Sequence, residues 1–189
     1  TTTSKTADEI HALGLAEVAR IHAEMRAIFA AEGIEVADLG ATLRALNADE
    51  RFLHPDTDAG REAVLDGYRA ILEDAAPRLP ALFGRLPQAP VVVERVPAFK
   101  EKSAPGAYYM PPPLDGSKPG IFYANLRSVR EIPTFGMRTL AYHEAIPGHH
   151  LQIAIAQELP GLPIFRRVIP FTAFVEGWAL YAERLALEQ

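Results

Sequence analysis

Two stretches of this sequence are so poor in charge that each must fold into something largely buried, and each keeps one carboxylate. Residues 139–157 (TLAYHEAIPGHHLQIAIAQ) hold a single formally charged side chain, Glu144, and with it three of the chain's six histidines. Residues 168–182 (VIPFTAFVEGWALYA) hold only Glu176. Burying even a neutral polar group without a partner costs roughly 2–7 kcal/mol, and a charge costs more, so a carboxylate in such a run calls for a partner or a cation. A divalent ion held by His143, a second histidine and Glu176 accounts for one of the two acids. It leaves Glu144 beside the ion, placed to act on a water there.

The spacing does not suit one regular helix. In the His-Glu-x-x-His pattern of zinc enzymes the second histidine stands four residues after the first, and here that place is Pro147. At about 100° and ~1.5 Å per residue, His149 falls on the wrong face relative to His143, and His150 on the right face but ~10.5 Å along the axis. Neither suits ligands held at ~2.0–2.1 Å from one zinc ion. Pro147, however, lacks the N–H that would reach the His143 carbonyl, and its ring collides with that oxygen; Gly148 then admits unusual backbone angles. A bulge of two residues brings His149 to the second-histidine place, and a bulge of three brings His150 there. On spacing alone both remain open.

Composition narrows the remaining classes. At 189 residues and 49% hydrophobic, the chain can bury one core, with room for a small appended lobe. A net charge of -5 with no run of Lys or Arg leaves no footprint for nucleic acid or an anionic membrane surface. There are no cysteines, so any metal falls to histidines and carboxylates. No apolar run reaches the ~18 residues of a membrane span, and no basic-then-apolar signal pattern opens the chain. The first residue is Thr, which fits a mature or excerpted piece, and the compartment stays unknown.

Helical and extended patterns then divide the chain. Thr6 followed by Glu9 has capping-box spacing, and Ile10, Leu13, Val18, Ile21, Met25 and Phe29 recur at helical intervals up to a stop near Gly33. Further helices are predicted over 38–47 and over 58 to about 82, the latter disturbed by Pro77 and Pro80. Three strands are predicted at 91–96, 107–110 and 120–126. From Thr134 the pattern is helical again, broken at Pro147-Gly148 and at 159–163. The expected fold is α+β, predominantly helical, with a small mixed or antiparallel sheet beside two site helices. Its parts are a helical part over 1–85, the sheet over 90–127 and the site helices over 134–189.

With these residues in view, the sequence resembles the bacterial zincin-like family known as domain of unknown function 885. The shared features are the His-Glu-x-x-Pro-Gly-His-His-x-Gln helix at His143 to Gln152 and the Glu-Gly-Trp-Ala-x-Tyr helix at Glu176 to Tyr181. The Pro-Leu-Asp-Gly-Ser segment at 113–117 and the Gly-Ile-Phe-Tyr-Ala-Asn-Leu strand are shared too. The resemblance implies a gluzincin-type metallopeptidase core of which residues 1–189 are the central, catalytic portion, with other parts of a longer chain packing against it. Aligned with the shorter His-Glu-x-Gly-His motif of related zinc peptidases, it favours His149 over His150. His143, His149 and Glu176 are then the metal ligands, Zn2+ the cofactor, and Glu144 the general base.

Glu183, seven residues beyond Glu176 and on the same helix face, is a candidate to orient a ligand from behind. An oxyanion donor is also needed, with Tyr181, Tyr142 and Tyr123 as candidates. A peptide substrate is expected, lying along the strand 121–125 by strand addition. Bland readings stand beside these: His149 and His150 as core or capping residues, Glu176 as a buried partner of Arg138 or Arg166, and Phe171, Phe174, Trp178 and Tyr181 as core packing. The alternative of different class is a non-catalytic helical binding or scaffolding domain that keeps a zincin-like shell. A hydrolase of some non-peptide amide is a variant of the first reading.

Overall fold

Thr6 caps the first helix, α1 (Ala7–Ala31), as its spacing predicts. Its hydroxyl accepts from the Glu9 N–H at 3.2 Å, and the Glu9 carboxylate accepts from the Thr6 N–H at 2.7 Å. The helix ends at a turn in which Gly33 takes φ +72°, a left-handed conformation that glycine adopts without a Cβ penalty. Asp38 caps α2 (Leu39–Asn47) by accepting from the Ala41 N–H at 2.6 Å. The computed structural model describes residues 3–189, and the chain divides into two compact units between Asp49 and Glu50. The helical part expected over 1–85 therefore falls across both. In the first unit the apolar stripe of α1 is largely uncovered, with Ile10, Leu13, Val18 and Ile21 all 43–50% exposed.

The second unit contains the sheet and the site. Helix α3 (Asp58–Ala75) gives way to a 3-10 turn and a short α4 (Leu79–Leu82) where Pro77 and Pro80 were expected to disturb it. Strands β1 (Val91–Arg95), β2 (Ala107–Met110) and β3 (Gly120–Ala124) form a mixed sheet in the order β1-β3-β2. β3 lies parallel to β1 and antiparallel to β2.

Val64, Tyr68 and Leu72 of α3 recur at i, i+4, i+8 and pack one face of that helix on the sheet. There Tyr68 meets the fully buried Phe122 edge-on, 4.8 Å between ring centres. Helix α5 (Thr134–Glu144) closes on α3 through Met137, whose terminal carbon comes so near Gly67 that a Cβ there would meet it at 2.9 Å. Helix α6 (His149–Glu158), the short α7 (Ile164–Val168) and α8 (Thr172–Leu187) follow, with α8 against both α5 and α6. The architecture is α+β and mostly helical, as expected. No helix among the described residues is long and apolar enough to cross a membrane.

Two expectations change here. The strand 121–125 is the middle strand, paired on both sides, so no edge of it is free for an added peptide; the edge strand on the α5 side is β2. Phe171 and Phe174 are 53% and 62% exposed, not core. Helical spacing identifies a shared face but not what covers it: Trp178 packs against the core, and Phe171 and Phe174 do not.

Candidate metal centre

The low-charge run is two helices, not one helix with a bulge. α5 stops at Glu144, residues 145–148 form a turn with a cis Ile146–Pro147 peptide, and α6 starts at His149. The reason is local: Pro147 has no N–H for the α5 ladder, and the chain resumes with the His150 N–H on the Ala145 carbonyl (3.0 Å) and the Gln152 N–H on that of Gly148 (3.2 Å). Gly148 is pressed against the end of α5. A Cβ there would stand 1.9 Å from the His143 carbonyl oxygen and 2.2 Å from that of Tyr142, so only glycine fits.

This sharp turn folds His149 back beside His143. The two rings lie 4.7 Å apart at 81°, and Oε2 of Glu176, from α8, is 3.4 Å from Nε2 of His143 and 3.7 Å from Nε2 of His149. One donor atom from each of the three residues lies within 4.8 Å of the others. Four donors arranged tetrahedrally at ~2.0–2.1 Å around a zinc ion are about 3.3 Å apart, so modest closure suffices, and two imidazoles with one carboxylate is a donor set zinc accepts.

Behind His143, the Glu183 carboxylate accepts from Nδ1–H at 2.7 Å. That bond fixes the proton on Nδ1 and leaves the Nε2 lone pair aimed toward Glu176.

Of the two histidines that spacing left open, the structure brings His149 to this group and holds His150 away from it. His150 is buried with both ring nitrogens engaged: Nδ1 accepts from the Tyr109 hydroxyl at 2.9 Å, and Nε2 donates to the Ala89 carbonyl at 3.0 Å. Burial pushes its pKa down to about 4, which matches a neutral ring with one donor and one acceptor nitrogen. Gly120 makes the room, since a Cβ there would meet His150 Nδ1 and the Tyr109 hydroxyl at 2.7 Å each.

Glu144 is buried beside the group. Its pKa is raised chiefly by burial and further by Glu176, against the opposing pull of His143 and of the Tyr109 main chain. The His149 pKa is lowered, first by burial and then by His143, with Glu176 opposing.

The other candidates are placed differently. Tyr181 is 55% exposed with its ring against Trp178 (5.7 Å between centres). Five residues past Glu176, it points about 140° away around the helix and makes no contact with the histidines among the described residues. Tyr142 accepts from Arg138 at 3.0 Å, and the Tyr123 ring packs on that of Tyr108. Arg138 pairs with Asp74, which removes it as a partner for Glu176.

Three residues that sequence reasoning gave no role here help to hold the site. Tyr109 fixes His150. Trp178 donates from Nε1 to the Pro147 carbonyl at 2.9 Å, and Gln152 donates from Nε2 to the Phe174 carbonyl at 2.9 Å. The last two tie α8 to the turn and to α6. Gln152 had a signal, being one of the few polar residues in the low-charge run; Tyr109 had none without the strand register.

A family profile described as bacterial protein of unknown function (DUF885) matches residues 1–189 of this chain. The chain belongs to this family. Among solved structures, one from Colwellia psychrerythraea, described as that of a "putative lipoprotein", is similar to this DUF885 chain with a TM-score of 0.94. The two are 41% identical, and the match covers 98% of this chain. The chain spans 32% of the length of that protein. No curated protein matches it.

Proposed function

We propose that this DUF885 chain carries the centre of a zinc-dependent hydrolase, with a peptide bond as the bond cleaved. The observation that carries the reading is the meeting of His143 Nε2, His149 Nε2 and Glu176 Oε2, drawn from three helices, with Glu183 bracing His143 from behind. His143, His149 and Glu176 would hold the ion. Bound there, zinc lowers the pKa of a water and polarises a carbonyl.

The chain's own residues supply the rest. Glu144 sits beside the group with its carboxyl pKa raised, which suits a base that takes a proton from water and returns it to the leaving amine. The edge strand β2 runs past it, and Tyr109 of β2 comes close enough for its main chain to act on the Glu144 carboxyl. An extended substrate adding to β2 would therefore pass the histidines and Glu144, which favours a peptide over a compact amide. Tyr181 is a poor oxyanion donor as placed, and the role falls to a group outside the helix faces described here.

The test is metal analysis of the purified protein together with Glu144→Gln and a mixed-peptide digest. Stoichiometric zinc, with cleavage lost in the variant while zinc stays, is the expected result. Stoichiometric zinc without any turnover in the parent protein would favour a binding domain instead.

A further inference from the structure

We infer that Gln152 is the positioning residue for His149, accepting a hydrogen bond from its Nδ1–H when the three-residue group closes on a metal ion. The inference rests on the metal reading above but concerns a residue to which that reading gives no part. Three buried side-chain atoms on α6 are without partners, Nδ1 of His149, Oε1 of Gln152 and Oε1 of Gln157, and the first two belong to residues only 7% and 8% exposed and one helical turn apart. Unpaired buried polar groups are costly and seldom left so.

The first two orphans are complementary. His149 and Gln152 are i and i+3 on one helix, hence neighbours on its surface. The Gln152 amide cannot be turned around, because its nitrogen donates to the Phe174 carbonyl, so Oε1 faces away as an acceptor in need of a donor. His149 has Nε2 toward Glu176, so in the metal-holding tautomer its proton sits on Nδ1, a donor in need of an acceptor. Closing the 3.7 Å gap to Glu176 takes a small movement of the ring, and the same movement adjusts Nδ1 relative to Oε1. His149 would then be held as His143 is held by Glu183, from the nitrogen opposite the ion. Because the same amide also grips the main chain at Phe174, two residues before Glu176, it couples one ligand to the helix that carries another.

The two halves of the amide are separable by substitution. Gln152→Met removes both hydrogen bonds at similar volume. Gln152→Glu keeps an oxygen for His149 but loses the donor to Phe174. Zinc affinity, measured by competition with a chromophoric chelator, is expected to fall 10–100-fold in Gln152→Met and to stay within about threefold of the parent in Gln152→Glu. Both variants should lose some thermal stability through the missing Phe174 bond. In 15N-labelled zinc-loaded protein, the His149 Nδ1–H resonance should be protected from exchange in the parent and in Gln152→Glu, and exchange fast in Gln152→Met.

Equal loss of zinc affinity in the two variants would make Gln152 a mere tie between helices and overturn the inference, as would unchanged affinity in Gln152→Met. A parent protein that holds no zinc overturns the metal reading itself, which the same titration reports separately.

Discussion

Gly148→Ala should be among the most damaging single-methyl changes in this chain. The added carbon would sit 1.9 Å from one main-chain oxygen and 2.2 Å from another, whereas carbon–oxygen contacts of this kind settle at about 3.3–3.6 Å. Both oxygens belong to the last turn of α5, His143 and Tyr142, so no side-chain rotation relieves the overlap. Relief means unwinding that turn or swinging α6 away. Overpacking costs ~1–3 kcal/mol when neighbours can yield, so a rigid pair of carbonyls puts this change at about 3 kcal/mol or more. In a unit of this size each kcal/mol lowers Tm by ~2–4 °C, giving a fall of roughly 6–12 °C.

His149 directly follows Gly148, so zinc affinity should fall with stability, by at least ~10-fold on the scale set by misplaced ligand supports. Thermal unfolding and a chelator-competition titration read the two effects. A variant that melts within about 2 °C of the parent and binds zinc as tightly would show that the turn does not press on α5 as described.

Glu183→Gln exchanges a charged acceptor behind His143 for a neutral one and should weaken zinc binding about 10–100-fold, with little change in unfolding midpoint. Tyr109→Phe takes the donor from His150 Nδ1 and should cost ~1–3 kcal/mol in urea unfolding while leaving zinc affinity within about threefold; a large loss of zinc would return His150 to the ligand set. Gly177→Ala lies in the middle of α8 where an added Cβ meets nothing within 4 Å, so it should raise stability by ~0.5–1 kcal/mol in the same urea assay. A loss there would mean that something packs against that face of α8.

What the sequence made legible was whatever depends on neighbours a few residues apart. The Thr6–Glu9 cap, the helix over 38–47, the proline-disturbed end of α3 and the burial of Glu144 in its apolar run are local facts, and each appears where expected, whereas the run around Glu176 is largely exposed and Glu176 is exposed with it. The choice between His149 and His150 was not local. It turns on the tight break at Pro147-Gly148 and on partners 41 and 61 residues away, Tyr109 and Ala89, which claim both nitrogens of His150.

The order of the strands was equally hidden. Ile121, Phe122 and Tyr123 would read the same at an edge or in the middle, and only the pairing with β1 and β2 makes those two the edge strands. Tyr181 shared a motif with Glu176, but five residues is the wrong helical interval for two side chains that must face one point.

Both side chains that reach across between α8 and the histidine turn, Trp178 and Gln152, end on peptide oxygens, those of Pro147 and Phe174. A peptide oxygen is supplied by every amino acid, so the identity of residue 174 matters little to the grip on it, and its ring points largely to solvent. The obligation is one-sided. Natural variation or a designer can repaint position 174 freely, for instance to change how that surface meets water, while the reaching residues at 152 and 178 have no such freedom.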